Sequence, residues 1–336
     1  MLFHVYNPHA NQNVTKDYVK LIEESLKKAG HETKMVSALQ KAKQNKEIGI
    51  VVIQTSSENE AIRAGYKKII RWVQGAGEAE SFMRHHSWLR YYVLSLRNWR
   101  AFKKASFIVW CSETMKKYYE KRFKTEYKYH YIMPCFNDEI KKDAFFTKDK
   151  YKNNVFVYAG SLDTWQCFEP TVALYRGVEK RVDNSLFRVL VKDHEKATEI
   201  LKKYGVEHYS LDFVPKEQVA EEMARAKFGF CIREDSIVNR VATPTKLSNY
   251  ISNGVMPIYS EYIDSFHEIA GDCEYCFCAN PSDFGEAVDR LVDMCEQTVC
   301  AEDVYTDYVK IFGDYYSREY HVERLAEQFK NIDKFI

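Results

Sequence analysis

Residues 228–258 read FGFCIREDSIVNRVATPTKLSNYISNGVMPI, and this stretch is the most informative part of the chain. It predicts an apolar strand, a polar loop, a helix that begins at a proline, and a second short strand. Thr243 is the expected N-cap and Pro244 the first helical residue, which leaves the N–H groups of Thr245 and Lys246 pointing at whatever lies above the helix. A helix start surrounded by cations favours phosphate. The cations here are Arg233, Arg240 and Lys246.

The second strand of this stretch places the loop in a sheet. Gly254 ends the helix, and residues 255–258 return the chain to a strand. In parallel sheets covered by helices, ligands bind at the carboxyl edge, where such loops lie. The residues therefore predict a nucleotide or another phosphate-bearing ligand.

Strand and helix patterns alternate along the whole chain. Strands are expected over residues 2–6, 48–53, 68–73, 106–110, 155–158, 187–191, 208–211, 228–232, 255–259 and 274–278. Helices are expected over residues 18–26, 168–178, 194–204 and 216–226. Such alternation indicates parallel sheets with helices on both faces. We therefore predict an α/β protein with two doubly wound Rossmann-like domains.

The length of 336 residues exceeds that of a usual single core, and 46% apolar residues are enough for two cores. Residues 137–154 are dense in aspartate and lysine and show little apolar periodicity, which is typical of a linker. The predicted domains are residues 1–145 and 152–315, followed by a terminal helical segment over residues 316–336.

Charge is divided unevenly between the two halves. Residues 1–150 contain 28 lysines and arginines against 16 aspartates and glutamates, a net +12, whereas the remainder contains 21 against 32, a net −11. The basic half suits an anionic membrane surface or a lipid phosphate, and the acidic half argues against a nucleic acid along the whole molecule. A solvated charged surface without a partner is the alternative.

No apolar run of about 18 residues occurs, and the N-terminus lacks a signal-peptide pattern, so we expect a cytoplasmic protein. The nine cysteines are expected to be reduced. Cys273, Cys276 and Cys278 form a C-x-x-C-x-C cluster, but no matching second pair follows. No metal site is therefore expected.

Three motifs give the chain a family resemblance. Residues 244–258 resemble the P-T-K-L-x-E-Y-x-x-x-G-x-P-x-I segment of family 4 and related retaining glycosyltransferases of the GT-B fold. Residues 158–166, with YAGS followed by WQ, resemble the opening of the donor domain in a polysaccharide-synthesis branch of those enzymes. Residues 74–81 resemble a Q-G-x-x-x-E-x-S element of their acceptor domain. The order of the three motifs is more specific than any one of them.

The resemblance implies two Rossmann-like domains that face a central cleft, with a C-terminal helix that crosses back to the first domain. It implies a hexosyltransferase-type glycosyltransferase that moves a sugar from a nucleoside diphosphate sugar to a glycan or lipid-linked acceptor in surface polysaccharide or glycoconjugate assembly. It also implies retention of configuration, with the leaving phosphate oxygen helping to deprotonate the acceptor. Fixed cations and helix amides stabilise a leaving diphosphate without a metal, so no cofactor is expected.

The resemblance carries over to particular donor residues. The expected donor-binding residues are Gly160, Ser161, Trp165, Gln166, Arg233, Arg240, Thr243, Pro244, Thr245, Lys246 and Asn249. Relatives often have two glutamates around this helix where Val241 and Asn249 stand here, and an Arg and a Lys near the positions of Ser161 and Gln166. These departures shift the phosphate-binding charge onto Arg233 and Arg240.

Gln74, Glu78 and Glu80 follow a strand end, where they would orient an acceptor hydroxyl or contact the transferred sugar. The alternative is an ordinary acidic helix start. The expected acceptor-binding residues are Asn7, Asn11, Gln74, Glu78 and His85. The expected catalytic residues are Arg233, Lys246 and Glu80.

Residues 81–131 mix basic and aromatic side chains in a way that suits a peripheral contact with an anionic membrane. Leu89, Val93 and Leu96 also recur at the spacing of a helix that faces a core. Two other functions stay open. One is a non-catalytic glycosyltransferase-like binding subunit, and the other is a nucleotide-sugar epimerase of the same architecture.

Overall fold

The structure is a computed structural model, and it describes residues 1–6, 13–136, 139–280 and 283–334. The chain divides into two compact units, Met1–Pro134 with Ser317–Ile336, and Cys135–Tyr316. Each unit contains one six-stranded parallel sheet flanked by helices. The predicted α/β class with two Rossmann-like domains is confirmed.

The first unit has the strand order β2-β1-β3-β4-β5-β6. Its strands are β1 (Leu2–Tyr6), β2 (Glu32–Val36), β3 (Gly49–Val52), β4 (Lys68–Val73), β5 (Phe107–Trp110) and β6 (His130–Ile132). Its helices are α1 (Asn13–Lys28), α2 (Thr55–Ala64), α3 (Gly77–His85), α4 (Trp88–Phe102), α5 (Glu113–Phe123) and, at the end of the chain, α15 (Arg318–Phe329). The central strands β3 and β5 are buried at every residue, because helices cover both faces of the sheet.

The sequence pattern missed β2 and β6. Both lie at an edge of the first sheet and pair with one neighbour only. The residues of β2 read ETKMV and all remain at least partly exposed. An edge strand of this kind needs no continuous apolar run, so hydrophobic periodicity does not reveal it.

The second unit has the strand order β12-β11-β10-β7-β8-β9. Its strands are β7 (Asn154–Ala159), β8 (Ser185–Leu190), β9 (Tyr209–Asp212), β10 (Phe228–Cys231), β11 (Met256–Tyr259) and β12 (Phe277–Cys278). Its helices are α6 (Lys142–Phe145), α7 (Phe168–Glu179), α8 (His194–Tyr204), α9 (Val219–Arg225), α10 (Ile237–Arg240), α11 (Thr245–Ser252), α12 (Asp264–Ala270), α13 (Phe284–Glu296) and α14 (Ala301–Tyr315). The order reverses between β7 and β10, and the carboxyl ends of strands at such a reversal form the usual ligand crevice of open α/β sheets.

Strand β12 is shorter than the predicted strand over residues 274–278. Only its last two residues pair with β11, and before them the amide of Cys276 donates to the carbonyl of Cys273 at 3.0 Å in a turn. This edge strand therefore has one partner and little length.

The segment over residues 139–153, predicted to be a linker, packs into the second unit. Phe145 is fully buried. The Nζ of Lys150 donates to the carbonyls of Ala144, Met223 and Asn253 at 3.2, 3.2 and 2.6 Å. A lysine that suggested a solvated linker thus holds the segment against α9 and the end of α11.

The last helix, α15, packs on α1 within the first unit. Arg318 pairs with Glu24 at 2.7 Å, and Lys28 donates to Glu323. Within the described ranges, no helix is both long enough and apolar enough to cross a membrane.

Candidate functional site

The stretch over residues 228–258 folds in the predicted order of strand, loop, helix and strand, with Phe228 paired to Met256. Helix α11 begins one residue later than predicted, because Pro244 has an extended backbone (φ −63°, ψ 122°) and is the N-cap. Thr243, the predicted N-cap, is buried, and its hydroxyl accepts the amide of Cys135 at 2.9 Å. Proline offers no side-chain oxygen, so residue 244 does not cap the amides that start the helix at Thr245.

Arg233 follows β10 and is 2% exposed. Its amide donates to Ser260 at 2.9 Å. Its guanidinium donates from Nη1 to the carbonyls of Gln166 and Ile232 at 3.0 and 2.8 Å, and from Nη2 to Oε1 of Gln166 at 2.7 Å. Both the main chain and the side chain of Gln166 therefore hold this guanidinium in a fixed orientation beside the carboxyl end of β10.

Lys246 lies in the first turn of α11 and is 9% exposed. Its ammonium nitrogen lies 3.8 Å from the centre of the Tyr158 ring and has no hydrogen-bond partner among the described residues. Burial and the positive charge of Arg233 lower the pKa of Lys246 to about 7. A buried ammonium group beside a second cation favours the arrival of an anion.

Gly160 follows β7 and brings the main chain close to this lysine. Its φ is +148°, and a Cβ at this position would lie 3.0 Å from Cε and 3.3 Å from Nζ of Lys246. The backbone conformation strongly favours glycine here, and a Cβ would also press on the flexible end of the lysine. Gly160 directly follows β7 and Arg233 comes two residues after β10, so the two residues flank the reversal of strand order.

These residues form one candidate anion site, which we call the cation pair site: Gly160, Gln166, Arg233 and Lys246. Within the part of the chain that the structure describes, no carboxylate forms an ion pair with Arg233 or Lys246. Two cations buried without a counter-ion are costly, and a phosphate group that accepts from both would offset that cost.

Arg240, the third predicted cation, is neutralised by acids. Its Nε donates to Asp235 at 2.6 Å and its Nη1 to Asp264 at 3.1 Å. The guanidinium also lies 5.1 Å from the centre of the Tyr262 ring. Because Asp235 and Asp264 already pair with Arg240, we leave it outside the cation pair site, and its predicted role in donor binding stays a prediction.

The other predicted donor residues lie nearby in the second unit. The hydroxyl of Ser161 donates to Asp163 at 2.8 Å, and Trp165 is half-buried in a short 3-10 turn over Thr164–Gln166. Asn249 is half-buried in α11, and its carbonyl accepts the side-chain amide of Asn253 at 2.8 Å. Val241 is fully buried in the core. An apolar residue therefore fills the first of the two positions that are acidic in relatives.

The predicted acceptor residues divide into two groups. Gln74 and Glu80 line a cavity of about 920 Å³ in the first unit. Glu78 belongs to the same wall but is fully buried, and its Oε2 accepts from Asn98 at 2.7 Å and from Tyr119 at 3.0 Å.

Burial raises the pKa of Glu78. The hydrogen bonds from Asn98 and Tyr119 connect Glu78 of α3 to α4 and α5, and its predicted contact with an acceptor stays a prediction. His85 is exposed at the end of α3 and is not a lining residue of the cavity. Asn7 and Asn11 lie outside the described residues.

Tyr158 was missed as a site residue, although the motif that begins with it had been noted. It precedes Gly160 by two residues, and alternate residues of a strand face the same side. That alternation is the signal that places its ring beside Lys246. Three side chains of a metal-binding type do not come together anywhere in the described ranges.

No protein-family model matches this sequence, and no curated protein is significantly similar to it. Solved structures are similar in fold. Sucrose-phosphate synthase from Thermosynechococcus elongatus matches with a TM-score of 0.71 at 10% identity, over 99% of each chain. The UDP-forming α,α-trehalose-phosphate synthase from Burkholderia xenovorans, in complex with glucose-6-phosphate, matches with a TM-score of 0.64 at 9% identity, also over 99% of each chain.

A third match is a point mutant of TarM from S. aureus, in complex with fondaparinux, α-GlcNAc-glycerol and UDP. It has a TM-score of 0.67 at 9% identity and covers 83% of this chain. The present chain spans about half the length of that TarM chain, 55%. At these identities the likeness concerns the fold, and this chain has the GT-B fold of two Rossmann-like domains.

Proposed function

We propose that this chain is a retaining, metal-independent glycosyltransferase. It transfers a sugar from a nucleoside diphosphate sugar to a glycan or lipid-linked acceptor in surface polysaccharide or glycoconjugate assembly. The observation that carries the proposal is the cation pair site, where Arg233 and Lys246 are buried without an acid at the carboxyl ends of β7 and β10, as far as the described residues extend. Two structures of the same fold support it, since one contains UDP and the other is a UDP-forming synthase.

The site suits the charge that develops during sugar transfer. When the bond between the anomeric carbon and the diphosphate breaks, negative charge grows on the leaving phosphate. Arg233 is already oriented by Gln166, and Lys246 has N–H groups without a hydrogen-bond acceptor among the described residues. Donors fixed in a site of low dielectric stabilise such charge with little reorganisation. The new bond joins the anomeric carbon to the acceptor oxygen on the face of the sugar that the diphosphate leaves. The leaving phosphate oxygen takes the proton of the acceptor hydroxyl.

The acceptor end of the proposal is the cavity of the first unit. It lies at the carboxyl end of β4, where Gln74 and Glu80 line its wall. An amide and a carboxylate can orient sugar hydroxyls by hydrogen bonds. Glu80 is the predicted catalytic residue on this side, where it would position the acceptor hydroxyl.

A membrane contact on the cytoplasmic face is a further part of the proposal. Helix α4 exposes Trp88, Leu89 and Tyr92 at 58, 78 and 62%, and Val93 and Leu96 continue the same helical face. This apolar face belongs to the basic half of the chain, residues 1–150 with a net charge of +12, and that combination suits an anionic lipid surface.

Sedimentation with phosphatidylglycerol vesicles tests this contact. Leu89→Gln combined with Tyr92→Gln should abolish binding at low salt. Phe213→Gln, which removes a side chain of 62% exposure in the second unit, should leave binding unchanged. Equal vesicle binding by the unaltered protein, the Leu89→Gln and Tyr92→Gln double variant and the Phe213→Gln variant would contradict the membrane contact.

Thermal shift with UDP, GDP, CDP and their common sugars, with and without EDTA, tests the donor site. A ligand that binds only the folded protein raises its melting temperature. We expect one nucleoside diphosphate to stabilise the protein and EDTA to have no effect. Slow hydrolysis of the matching sugar donor would distinguish an enzyme from a non-catalytic binding subunit. Interconversion of free nucleotide sugars without an acceptor would instead identify an epimerase.

A further inference from the structure

The cavity of the first unit is lined by four arginines, which is more positive charge than a neutral sugar requires. Its volume is about 920 Å³. The arginines are Arg63 on α2, Arg71 on β4, and Arg97 and Arg100 on α4. This charge favours an anionic ligand only where acids of the same wall do not pair with the arginines.

Two of the three lining glutamates have partners other than the four arginines, and Glu78 also lies 4.0 Å from Nε of Arg122, which is not a lining residue. Glu60 accepts from the hydroxyl of Tyr6 at 2.5 Å. Glu78 accepts from Asn98 and Tyr119, at 2.7 and 3.0 Å. The third lining glutamate, Glu80 on α3, has interactions of its own. Among the described residues, no ion pair joins Arg63, Arg97 or Arg100 to an acid.

Arg71 gives an independent sign of a ligand. It is 5% exposed, its Nη2 donates to Thr55 at 3.1 Å, and its Nε lies 3.6 Å from Glu58. Its Nε and Nη1 are buried and have no hydrogen-bond partner within the described residues, and the same holds for both carboxylate oxygens of Glu58. A buried donor without an acceptor costs stability, and a ligand oxygen in the cavity would satisfy it.

Arg97 and Arg100 are exposed and three positions apart on α4, so they lie on the same side of the helix in successive turns. A guanidinium presents two parallel N–H groups that match the oxygens of phosphate. Several arginines in one cavity suit a group with close to two negative charges, as a phosphate monoester has near neutral pH.

We infer that the acceptor bound in this cavity carries a phosphate group, which Arg97 and Arg100 bind together with Arg63 and Arg71. The inference rests on the proposed function, because it specifies the acceptor of that reaction. The phosphate belongs either to a soluble sugar phosphate or to a lipid phosphate, since α4 also carries the exposed apolar face described above.

The test is calorimetric binding in the presence of a saturating concentration of the nucleoside diphosphate that stabilises the protein in the thermal-shift experiment. The soluble probes are glucose 6-phosphate and, as its neutral match, glucose. The lipid probe is dodecyl phosphate in phosphatidylcholine vesicles, with plain phosphatidylcholine vesicles as the blank. The variant is Arg97→Gln with Arg100→Gln, and the matched control is Lys117→Gln with Lys121→Gln, which removes equal charge from exposed positions of α5 outside the cavity.

We expect at least one phosphate probe to bind the unaltered protein about tenfold or more tightly than its neutral match, since charge-assisted hydrogen bonds are among the stronger ones. The arginine variant should lose this preference, and the lysine control should keep it. Preference for glucose 6-phosphate identifies a sugar phosphate, and preference for the dodecyl phosphate vesicles identifies a lipid phosphate.

Equal binding of charged and neutral probes would overturn the inference, and so would an equal loss in the arginine variant and the lysine control. Binding of UDP, GDP and CDP is measured on the same samples. Protein that binds one of these nucleotides without a phosphate preference contradicts only the phosphate acceptor, whereas protein that binds none of them contradicts the proposed donor site.

Discussion

The ammonium nitrogen of Lys246 lies 3.8 Å from the centre of the Tyr158 ring, against the turn at Gly160. An aromatic face attracts a cation but offers no lone pair to its N–H groups. The lysine is thus held in place while its hydrogen-bond donors stay available. A bound phosphate would accept hydrogen bonds from this ammonium group, which is the role that we propose for it.

Affinity for the nucleoside diphosphate that this protein binds should fall as the pH rises above about 7. Burial and Arg233 lower the pKa of Lys246 to about 7, so above that pH the free protein holds the neutral amine. A bound diphosphate favours the ammonium form, so binding takes up a proton and weakens by up to about tenfold per pH unit. Calorimetry in two buffers of different ionisation enthalpy measures that uptake. Lys246→Met should abolish it, and unchanged uptake in this variant would assign the proton to another group.

Arg233→Gln should weaken binding of the nucleoside diphosphate by about 1.5–3 kcal/mol, the range for a charge-assisted hydrogen bond. Arg240→Gln is the matched control, because Asp235 and Asp264 already pair with that arginine. Titration calorimetry compares the two variants, and circular dichroism checks that both remain folded. A larger loss of binding free energy in Arg240→Gln than in Arg233→Gln would show that Arg240, and not Arg233, binds the phosphate.

Gly160→Ala should reduce both stability and donor binding. The new Cβ would lie 3.0 Å from Cε of Lys246 on a backbone with φ of +148°, so strain of about 1–3 kcal/mol is expected. The displaced lysine would also lose its position for the phosphate. Gly77→Ala is the control, because a Cβ there meets no atom within 4 Å. Urea denaturation measures stability and UDP titration measures donor binding. Equal stability and equal affinity in the two variants would contradict the steric role of Gly160.

Lys150→Met should destabilise the second unit by about 3 kcal/mol or more, because three carbonyl groups lose their donor in a buried place. Lys152→Met, at a side chain that is 83% exposed, should change the free energy of unfolding by no more than about 0.5 kcal/mol. Urea denaturation gives both values. If Lys150→Met is as stable as the control, the segment over residues 139–153 does not depend on this lysine.

Much of the fold follows from local sequence patterns. Strands such as β3 and β5 are short apolar runs that are buried on both faces, and those runs are visible without a structure. The hydrophobic pattern did not predict strands β2 and β6, because edge strands are partly solvated. The packing of residues 139–153 into the second unit was not predicted for a related reason. Sequence alone does not distinguish a buried lysine that donates to three carbonyls from a solvated one.

Sequence by itself determined the order of strands and helices, the glycine at position 160 and the cations around α11, because these depend on residue type and spacing along the chain. Tertiary structure alone decided which cations are paired with acids. Arg233 and Arg240 look alike in sequence, yet Gln166 orients the first while Asp235 and Asp264 neutralise the second. The physical reason is that charge pairing depends on distances of a few ångströms, and for Gln166 and Asp264 those distances join residues that are far apart in the chain.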